Sequence, residues 1–436
     1  MEKAPKISWD DITKAMLKLQ QNNKLALAID QLNDQYLFWD KAKYKHVPGI
    51  NSKKELWTLI TADRVKKCVP VQYWEKFKIH FSLTNQMQRL CHQFDKDFRG
   101  SQMSSSPIPE ANKEKYLISS LIEEAISSSQ MEGAVTTRKV AREMLSKNLS
   151  PKDKSQQMIF NNYQTIRFIV ANQQQPLSED LLLEIHRLMT IDTLNNPKEI
   201  GCFRQNDEVV VQNQITGKVG HIPPTAAELP VLIAELCQFF NENTTEPYIH
   251  PIIKGIIIHF MVAYIHPFVD GNGRTARALF YWYMLKQGYW LTEYLSISHI
   301  IYAAKPSYEK SFLYAETDQN DIGYFITYNL RVIELAYQSL QDYIKRKKQE
   351  QQTSYKFLAI PNINMRQAEI IKMFEDNPQE MIVVKDLQTK FLVSPTTAKT
   401  DILPLVEMGL LKEIALNKVK KAYLKGDAFD NILSKL

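Results

Sequence analysis

The stretch that decides the fold reads His266-Pro-Phe-Val-Asp-Gly-Asn-Gly-Arg-Thr-Ala-Arg277, and it lies between two strongly apolar segments. Residues 252–265 before it are apolar nearly all round, which is typical of a helix in the middle of a core. Residues 275–289 after it combine helix formers and aromatics with a C-terminal helix signal at Lys286 and Gly288. The pattern predicts a polar loop between two buried helices, where its polar groups need a ligand or a network.

The residues of this loop suit a phosphate group. Gly271 and Gly273 carry no side chains on either side of Asn272. Backbone N–H groups can therefore form an anion-binding concavity at the positive N-terminal end of the next helix. Arg274 and Arg277 lie three residues apart on one face of that helix, so both can reach one polyphosphate with forked donors.

Two further side chains of the loop suit nucleotide chemistry. Asp270 offers a hard oxygen ligand for Mg²⁺, an ion that proteins commonly hold with one or two carboxylates and the phosphates of the substrate. His266 titrates near neutral pH, so it can take a proton from a hydroxyl group. Taken alone, each residue has a simpler explanation. The Gly-Asn-Gly segment fits a tight turn, the histidine a buried core position, and the arginines ion pairs with acids elsewhere. The whole set at this spacing favours a nucleotide site.

The loop resembles the signature of the Fic family, HxFx(D/E)GNGRxxR, and matches it at every defined position. Members of that family are mostly enzymes that transfer AMP from ATP to a protein Ser, Thr or Tyr hydroxyl, on an all-helical core. The family's kinase-like variants carry lysine at the second glycine, and Gly273 argues against that branch. The resemblance implies a role for each residue: His266 as general base, Asp270 as Mg²⁺ ligand, Gly271, Asn272 and Gly273 as phosphate cradle, and Arg274 and Arg277 as ligands of the β and γ phosphates.

A second, shorter motif precedes the loop in the chain. Residues 113–129 carry an apolar stripe at helical spacing, and Gly133 is placed as the C-terminal cap of that helix. Ser128-Ser-Gln-Met-Glu132-Gly133 resembles the inhibitory motif (S/T)xxxE(G/N) of regulated Fic proteins. By that likeness Glu132 pairs with Arg277, so that ATP binds in a pose unsuited to in-line attack. A partner arginine would also relieve the unfavourable position of Glu132 at the negative end of the helix dipole.

Residues 208–224 predict a β-hairpin in an otherwise helical protein, because two β-prone runs flank a Thr-Gly turn. The open edge of a hairpin can align an extended segment of another protein through main-chain hydrogen bonds. Fic proteins have such a flap beside the active site, introduced by a segment similar to Gly201-Cys-Phe-Arg204. The residues predicted to meet a target are Val209, Val210 and Val211. Tyr308, later in the chain, is interpreted as the wall of an adenine slot.

Composition fits an ordinary globular protein of two or three domains, with 436 residues, of which 44% are hydrophobic and 23% charged. The net charge of +6 is too small to indicate nucleic-acid binding by itself. Neither His221 and His250 nor the cysteines have metal-ligand spacing, and the cysteines are interpreted as small core residues in a reducing compartment. The N-terminus lacks a signal-peptide pattern and no apolar run reaches the ~20 residues of a membrane span. These features predict a cytoplasmic protein.

The predicted fold class is mainly α, with an all-helical Fic core that carries the flap. Residues 1–100 form a helical accessory region, residues 110–345 the catalytic core with the inhibitory helix, and residues 358–436 a winged helix-turn-helix module. The Ser- and Pro-rich residues 100–109 and the charged residues 342–352 are the predicted boundaries. Tryptophans of the first region are assigned to core packing: Trp9, Trp39, Trp57 and Trp74.

The C-terminal module is predicted from helices over 366–374 and 384–391, a third helix that Ser394 and Pro395 begin, and a hairpin over 411–424. Pro404 is expected to end or kink the third helix. Binding to DNA would use Thr396, Thr397, Lys399 and the lysines between Lys418 and Lys421. Use as a protein-interaction or dimer element is favoured over DNA, because the basic excess is modest and the recognition face lacks arginine.

The sequence as a whole favours a protein adenylyltransferase that transfers AMP from Mg-ATP to a hydroxyl of a target protein and is autoinhibited by Glu132. The alternative is a DNA-binding transcriptional regulator whose core senses nucleotide, but a sensor needs neither His266 nor the inhibitory glutamate. Removal of AMP, transfer of another nucleotidyl group, self-modification and a homodimer remain open at this point.

Overall fold

The computed structural model describes residues 2–99, 108, 113–212, 217, 219–391, 393–417 and 420–434. The chain is 64% helical with only small sheets, which confirms the mainly α prediction. The described residues fall into two compact units. The first contains those within Met1–Ser106, Leu117–Arg138 and Pro151–Tyr337, and the second those within Pro107–Tyr116, Lys139–Ser150 and Gln338–Leu436.

The helices follow in chain order: α1 Trp9–Gln21, α2 Asn23–Asn33, α3 Trp39–Ala42, α4 Lys53–Lys66, α5 Asn85–Arg99, α6 Lys113–Met131, α7 Arg138–Ser146, α8 Lys154–Ala171, α9 Glu179–Thr190, α10 Leu229–Asn241, α11 Pro251–Ile265, α12 Asn272–Lys286, α13 Ile297–Ala303, α14 Lys305–Thr317, α15 Gly323–Ser354, α16 Met365–Asp376, α17 Val384–Phe391, α18 Pro395–Glu407 and α19 Phe429–Leu433. None of the described helices combines the length and the apolar character that a membrane crossing requires.

Three small antiparallel sheets complete the described elements: β1 Cys68–Pro70 with β2 His80–Ser82, β3 Val211–Gln212 with β4 Val219–His221, and β5 Ile382–Val383, β7 Lys421–Lys425 and β6 Leu411–Ala415 in that spatial order. The β3–β4 pair is the predicted hairpin. Of its three predicted valines, only Val211 lies in a strand.

Helices α11 and α12 form the centre of the first unit, as their composition predicts. Both are buried along nearly their whole length. At Gly255 an added Cβ would lie 3.2 Å from the Tyr283 ring and 3.4 Å from the Phe280 ring, so this glycine lets α11 approach α12 closely. The polar loop between the two helices is therefore anchored at both ends in the core.

The N-terminal helices pack within the same unit through a buried polar network. Arg64 Nε donates to Asn33 Oδ1 at 3.0 Å, and the Tyr36 hydroxyl donates to Asp321 Oδ1 at 2.7 Å. Three of the four tryptophans assigned to the core are buried, but Trp9 is 72% exposed, because it is the first residue of α1 and faces outward. The cysteine interpretation is wrong at two positions, since Cys68 and Cys202 are exposed.

The second unit contains the predicted three helices and hairpin, α16, α17, α18 and β6–β7, together with the short strand β5. These elements enclose a core that includes Phe357, Ile371, Leu387, Ile402 and Tyr423. Pro404 does not end α18, because the helix continues through it to its last residue. The predicted boundary at residues 100–109 lies, except for residue 108, outside the described residues, and so does Lys418.

Candidate active site

The loop between α11 and α12 begins at His266, which caps α11 in the left-handed conformation at φ +49°. Its Nδ1 lies 3.1 Å from the carbonyl oxygen of Ala263, an acceptor, so Nδ1 carries the proton and Nε2 holds a lone pair. Burial lowers the pKa of His266 below its ordinary 6.5. The residue is therefore a neutral imidazole at pH 7 and can accept a proton at Nε2.

The carbonyl groups at the end of α11 are bound by a side chain that arrives from the flap region. Arg204 Nε donates to the carbonyl of His266 at 2.9 Å, and its Nη2 donates to the carbonyl of Pro224. The backbone N–H of Arg204 binds the carbonyl of Pro267 at 2.9 Å. The last carbonyls of a helix have no partner within the helix, so these contacts fix both the helix end and the catalytic loop.

A buried histidine of α9 holds the next part of the loop. His186 Nδ1 accepts from the Gly201 N–H at 3.1 Å, so Nε2 carries the proton and donates to the carbonyl of Asp270 at 2.9 Å. The His186 ring stacks on Phe268 with centroids 3.7 Å apart. Gly271 adopts φ +84°, and a Cβ there would come within 2.9 Å of Thr190. The glycine is thus required by both conformation and space.

The side chain of Asn272 binds the backbone of the loop itself. Its Oδ1 accepts from the Phe268 N–H at 2.9 Å, and its Nδ2 donates to the Phe268 carbonyl at 2.8 Å. Both side-chain groups are therefore engaged within the protein. The predicted phosphate cradle is left with the backbone N–H groups at the start of α12.

Glu132 reaches the start of α12 from the end of α6. A Cβ built on Gly273 would lie only 2.2 Å from Glu132 Oε1, so the carboxylate rests directly on the glycine backbone. Glu132 Oε1 accepts from Arg277 Nη2 at 2.9 Å, and Arg277 also donates to the Ser128 hydroxyl and the Ser128 carbonyl at 2.9 Å each. The structure thus brings together the two predicted motifs.

The charge state of Glu132 follows from its neighbours. Burial alone would raise its pKa, but the positive charges of Arg277 and Arg274 outweigh that effect and lower it. The side chain is 30% exposed, and it lines a cavity. A charged carboxylate therefore occupies the anion-binding end of α12.

Arg274 is the clearest sign that this place is built for more negative charge than it holds. The side chain is fully buried, and Nη1 donates to the Met189 carbonyl at 3.1 Å. Its Nε and Nη2, like Arg277 Nη1, make no hydrogen bond within the described chain, and Asp270 Oδ1 lies 3.8 Å from Nη2. Buried guanidinium donors without partners are costly, so an anionic ligand would satisfy them.

A cavity of about 270 Å³ lies against Arg277, but Arg274 and Asp270 are not among its lining residues. Its lining includes His266, Gly273, Arg277, Tyr308 and Glu132. Tyr308 is buried, and its hydroxyl lies 2.9 Å from Nε2 of His259 on α11.

The flap contributes one of its predicted residues to this cavity. Val211 lines it, whereas Val209 and Val210 precede the strand and are not among the lining residues. Residues 213–216 and 218 of the flap lie outside the described residues. The structure therefore places Val211 of the first flap strand, and Gly220 and His221 of the second, against the site.

Asp270 fits the part of a metal ligand that nucleotide sites use. Its side chain is 52% exposed, and Oδ1 accepts from the Gly271 N–H. Among the described residues no three His, Cys, Asp or Glu side chains form a metal-binding group. A single carboxylate suffices where Mg²⁺ takes its remaining ligands from phosphates and water.

The same part of the chain is similar to known proteins. Residues 176–284, which contain α9, the flap and the loop, match the model of the Fic/DOC family. These residues form a Fic domain. The match covers α9 and Arg204 as well as the loop, so the family pattern includes the elements that hold the loop in place.

The curated relatives of this Fic domain are named protein adenylyltransferase Fic. The chain is 29% identical over 191 residues to the protein of Drosophila virilis, which is 43% of this chain and 36% of the relative. It is 34% identical over 108 residues to the protein of Drosophila sechellia, which is 25% of this chain and 20% of the relative. The matched region thus spans about a third or less of these relatives.

The fold is also found in a solved structure. A Fic family protein from Desulfovibrio desulfuricans G20 superposes with a TM-score of 0.51 and 18% identity, and the match covers 80% of this chain and 98% of that one. The likeness extends well beyond the Fic domain and concerns the fold.

Three residues of the site were not predicted from the sequence: His186, Arg204 as a loop anchor, and His221 as a cavity residue. Of the two histidines considered for a metal, His221 contacts Glu316 and His250 contacts Asp95. The sequence carries only a weak signal for such residues. A histidine inside an apolar helix stripe marks a buried hydrogen-bonding position, but its partners lie far away in the sequence.

Proposed function

We propose that this protein is a protein adenylyltransferase, which transfers AMP from ATP to a Ser, Thr or Tyr hydroxyl of a target protein. The observation that carries the proposal is a single cavity lined by the neutral imidazole of His266 and by Arg277, whose Nη1 makes no hydrogen bond among the described residues. A base beside a polyanion clamp suits the activation of a hydroxyl for attack on a phosphate. The similarity to proteins named protein adenylyltransferase Fic supports the same reaction.

The proposed reaction is a single displacement at the α phosphate. The acceptor hydroxyl passes its proton to His266 Nε2, and its oxygen bonds to the α phosphorus. The bond from that phosphorus to the bridging oxygen breaks, and pyrophosphate leaves with the electron pair. The backbone N–H groups at the start of α12, with Arg274 and Arg277, hold the phosphates and the developing charge.

Asp270, in the loop between α11 and α12, would hold the Mg²⁺ ion of Mg-ATP. Such an ion neutralises phosphate charge when it is bound. Tyr308, buried along the cavity wall, is the proposed neighbour of the adenine base. Val211 at the flap edge is the proposed contact for the acceptor segment, because a strand edge can bind an extended chain.

We further propose that Glu132 inhibits this reaction. Its carboxylate is held by Arg277 and covers the backbone of Gly273, so it competes with the terminal phosphate for the same donors. An arginine–carboxylate hydrogen bond contributes about 1.5–3 kcal/mol, which corresponds to about 10- to 100-fold in rate if the bond must break for productive binding. Glu132→Gly should therefore raise AMP transfer by about that factor.

The test uses Glu132→Gly with ATP labelled at either the α or the γ phosphate. Label from the α position should enter the chain itself or added protein acceptors, whereas label from the γ position should not. The matched control is Glu132→Gly combined with His266→Ala, which should still bind ATP but incorporate no label. Incorporation from the γ position, or none from either position despite ATP binding, would argue against AMP transfer.

A further inference from the structure

His221, the last residue of β4, connects the flap to two helices of the site. Its Nε2 lies 2.7 Å from the carbonyl oxygen of Tyr264 near the end of α11, and its Nδ1 lies 2.9 Å from Glu316 Oε2 on α14. The ring also packs against the Tyr264 ring, with centroids 4.6 Å apart. Its side chain is only 9% exposed. The flap is thus attached to the core at its second strand as well as through Arg204.

Both partners of His221 are hydrogen-bond acceptors. The Tyr264 carbonyl can only accept, and an ionised Glu316 can only accept, so both contacts are satisfied when each ring nitrogen carries a proton. The ring is then an imidazolium, which the negative end of α11 and the Glu316 carboxylate both stabilise. His221 lines the same cavity as the general base, so a proton on both of its ring nitrogens would place a positive charge there.

The two histidines that line the cavity, His266 and His221, contact consecutive carbonyl groups at the end of α11. The Ala263 carbonyl oxygen contacts His266 Nδ1, and the Tyr264 carbonyl oxygen contacts His221 Nε2. A movement of the flap that breaks the second contact would expose the carbonyl next to the one that orients the base. Flap position and base orientation are consequently set by one backbone segment.

We propose that His221, held by Glu316, is a positioning residue for AMP transfer: it fixes the flap edge over the end of α11 and places a positive charge beside His266. This inference rests on the proposed function and deepens it. The positive charge of His221 would keep His266 unprotonated. The fixed flap edge would present the acceptor strand in one register.

The charged groups around His266 set the size of the electrostatic effect. Besides burial, the neighbours that act on its pKa are His221 and Arg204, which lower it, and Glu132, which raises it. Loss of the His221 charge removes a cationic neighbour and should raise the pKa of His266. The other ionisable groups that line the cavity are Tyr264 of α11, Arg277 of α12 and, on α14, Lys305, Tyr308, Glu309 and Glu316.

The experiment compares His221→Gln and Glu316→Gln with His46→Gln, each in the Glu132→Gly background of the full chain. His46 is exposed and lies away from the cavity lining, so its variant should behave as the background. His221→Gln should shift the acid limb of the pH–rate profile to higher pH by about 0.5 unit. It should raise the KM for the protein acceptor about fivefold, while the KM for ATP changes less than about twofold.

Glu316→Gln is the second variant, because it keeps the size of the side chain and weakens only the hold on His221. It should move both quantities in the same direction by a smaller amount. An acid limb and an acceptor KM that stay unchanged in both variants, with transfer intact, would overturn the inference. If thermal unfolding shows that His221→Gln does not fold, the folded Glu316→Gln protein decides by the same two quantities.

A measurement without turnover separates this inference from the proposed reaction. The NMR titration of the His266 ring, assigned from the spectrum of His266→Gln, should move to higher pH in His221→Gln and not in His46→Gln. This shift in the absence of AMP transfer by any variant would reject the proposed reaction but retain the effect of His221 on His266. AMP transfer with an unshifted titration would reject the inference alone.

Discussion

At Gly273, the missing side chain determines what can occupy the start of α12. A methyl group there would clash with the Glu132 carboxylate, and it would also fill part of the proposed phosphate cradle. Gly273→Ala should therefore displace Glu132 without raising AMP transfer. Combined with Glu132→Gly, it should lower transfer by about tenfold or more relative to Glu132→Gly alone. Label incorporation by the two variants provides the comparison, and equal rates would show that the cradle tolerates the methyl group.

The pH dependence of the inhibitory contact follows from the lowered pKa of Glu132. A carboxylate whose pKa in the folded protein lies below its ordinary value of 4.5 contributes its contact fully above that value, and the contact is lost as the pH falls through the lowered pKa. The ratio of transfer rates between Glu132→Gly and wild type should thus stay constant between about pH 6 and pH 8. A ratio that falls steadily toward pH 6 would mean that Glu132 is already being protonated there.

Helix α9 holds the catalytic loop through His186, whose ring joins the segment before the flap to that loop. Replacing it by leucine leaves the Gly201 N–H and the Asp270 carbonyl without their buried partner. Each such group costs about 1–3 kcal/mol, so the free energy of unfolding should fall by about 2–6 kcal/mol. Chemical denaturation measures this change. The matched control is the exposed His46→Leu, which should have little effect.

His186 also makes an acid-sensitive contribution to stability. Burial lowers its pKa from 6.5 to about 4, so the unfolded chain binds a proton at pH values where the folded chain does not. Stability is therefore unaffected above about pH 6.5 and is lost as the pH falls toward 4, by up to about 3 kcal/mol. In His186→Leu this part of the decline should disappear. An unchanged slope of unfolding free energy against pH would assign the acid sensitivity to other groups, such as buried His259, whose pKa burial also lowers.

The elements that the sequence predicts well are those with local causes. The buried pair α11 and α12 follows from apolar composition, the end of α6 from Gly133, and the start of α18 from Ser394, whose side chain accepts the Thr397 N–H. Periodicity carries no information on partners that lie far apart in the chain. Pro404 within α18 shows a related limit, since packing of the surrounding residues outweighs the local preference. Contacts with partners 15 or more residues away have no local cause, and examples are His186 with Gly201, Arg204 with His266 and His221 with Tyr264.

At the scale of the whole molecule, the charges of the second unit bear on whether the chain binds DNA. The lysines of its hairpin form ion pairs with carboxylates of the same unit, and ion pairs as exposed as these are weak. They nevertheless give these lysines carboxylate partners within the unit, which reduces the positive charge that is free to bind a phosphate backbone. The lysines of the hairpin contact carboxylates within the unit: Lys421 and Glu413 lie 2.6 Å apart, Lys425 and Asp430 2.6 Å, and Lys412 and Asp427 3.8 Å.

The full chain should accordingly show little salt-dependent affinity for duplex DNA. Fluorescence anisotropy of a labelled duplex at about 50 mM and about 200 mM salt is the measurement, because each phosphate contact adds to the slope of affinity against salt. The informative variant is Lys420→Glu with Lys421→Glu, and Lys3→Glu in an exposed N-terminal position is its control. Binding that weakens steeply with salt and is lost only in the hairpin variant would favour the transcriptional regulator. In that case the Fic domain would act as a nucleotide sensor, and His266→Ala would leave DNA binding and its response to ATP unchanged, whereas an enzyme would lose AMP transfer with the same substitution.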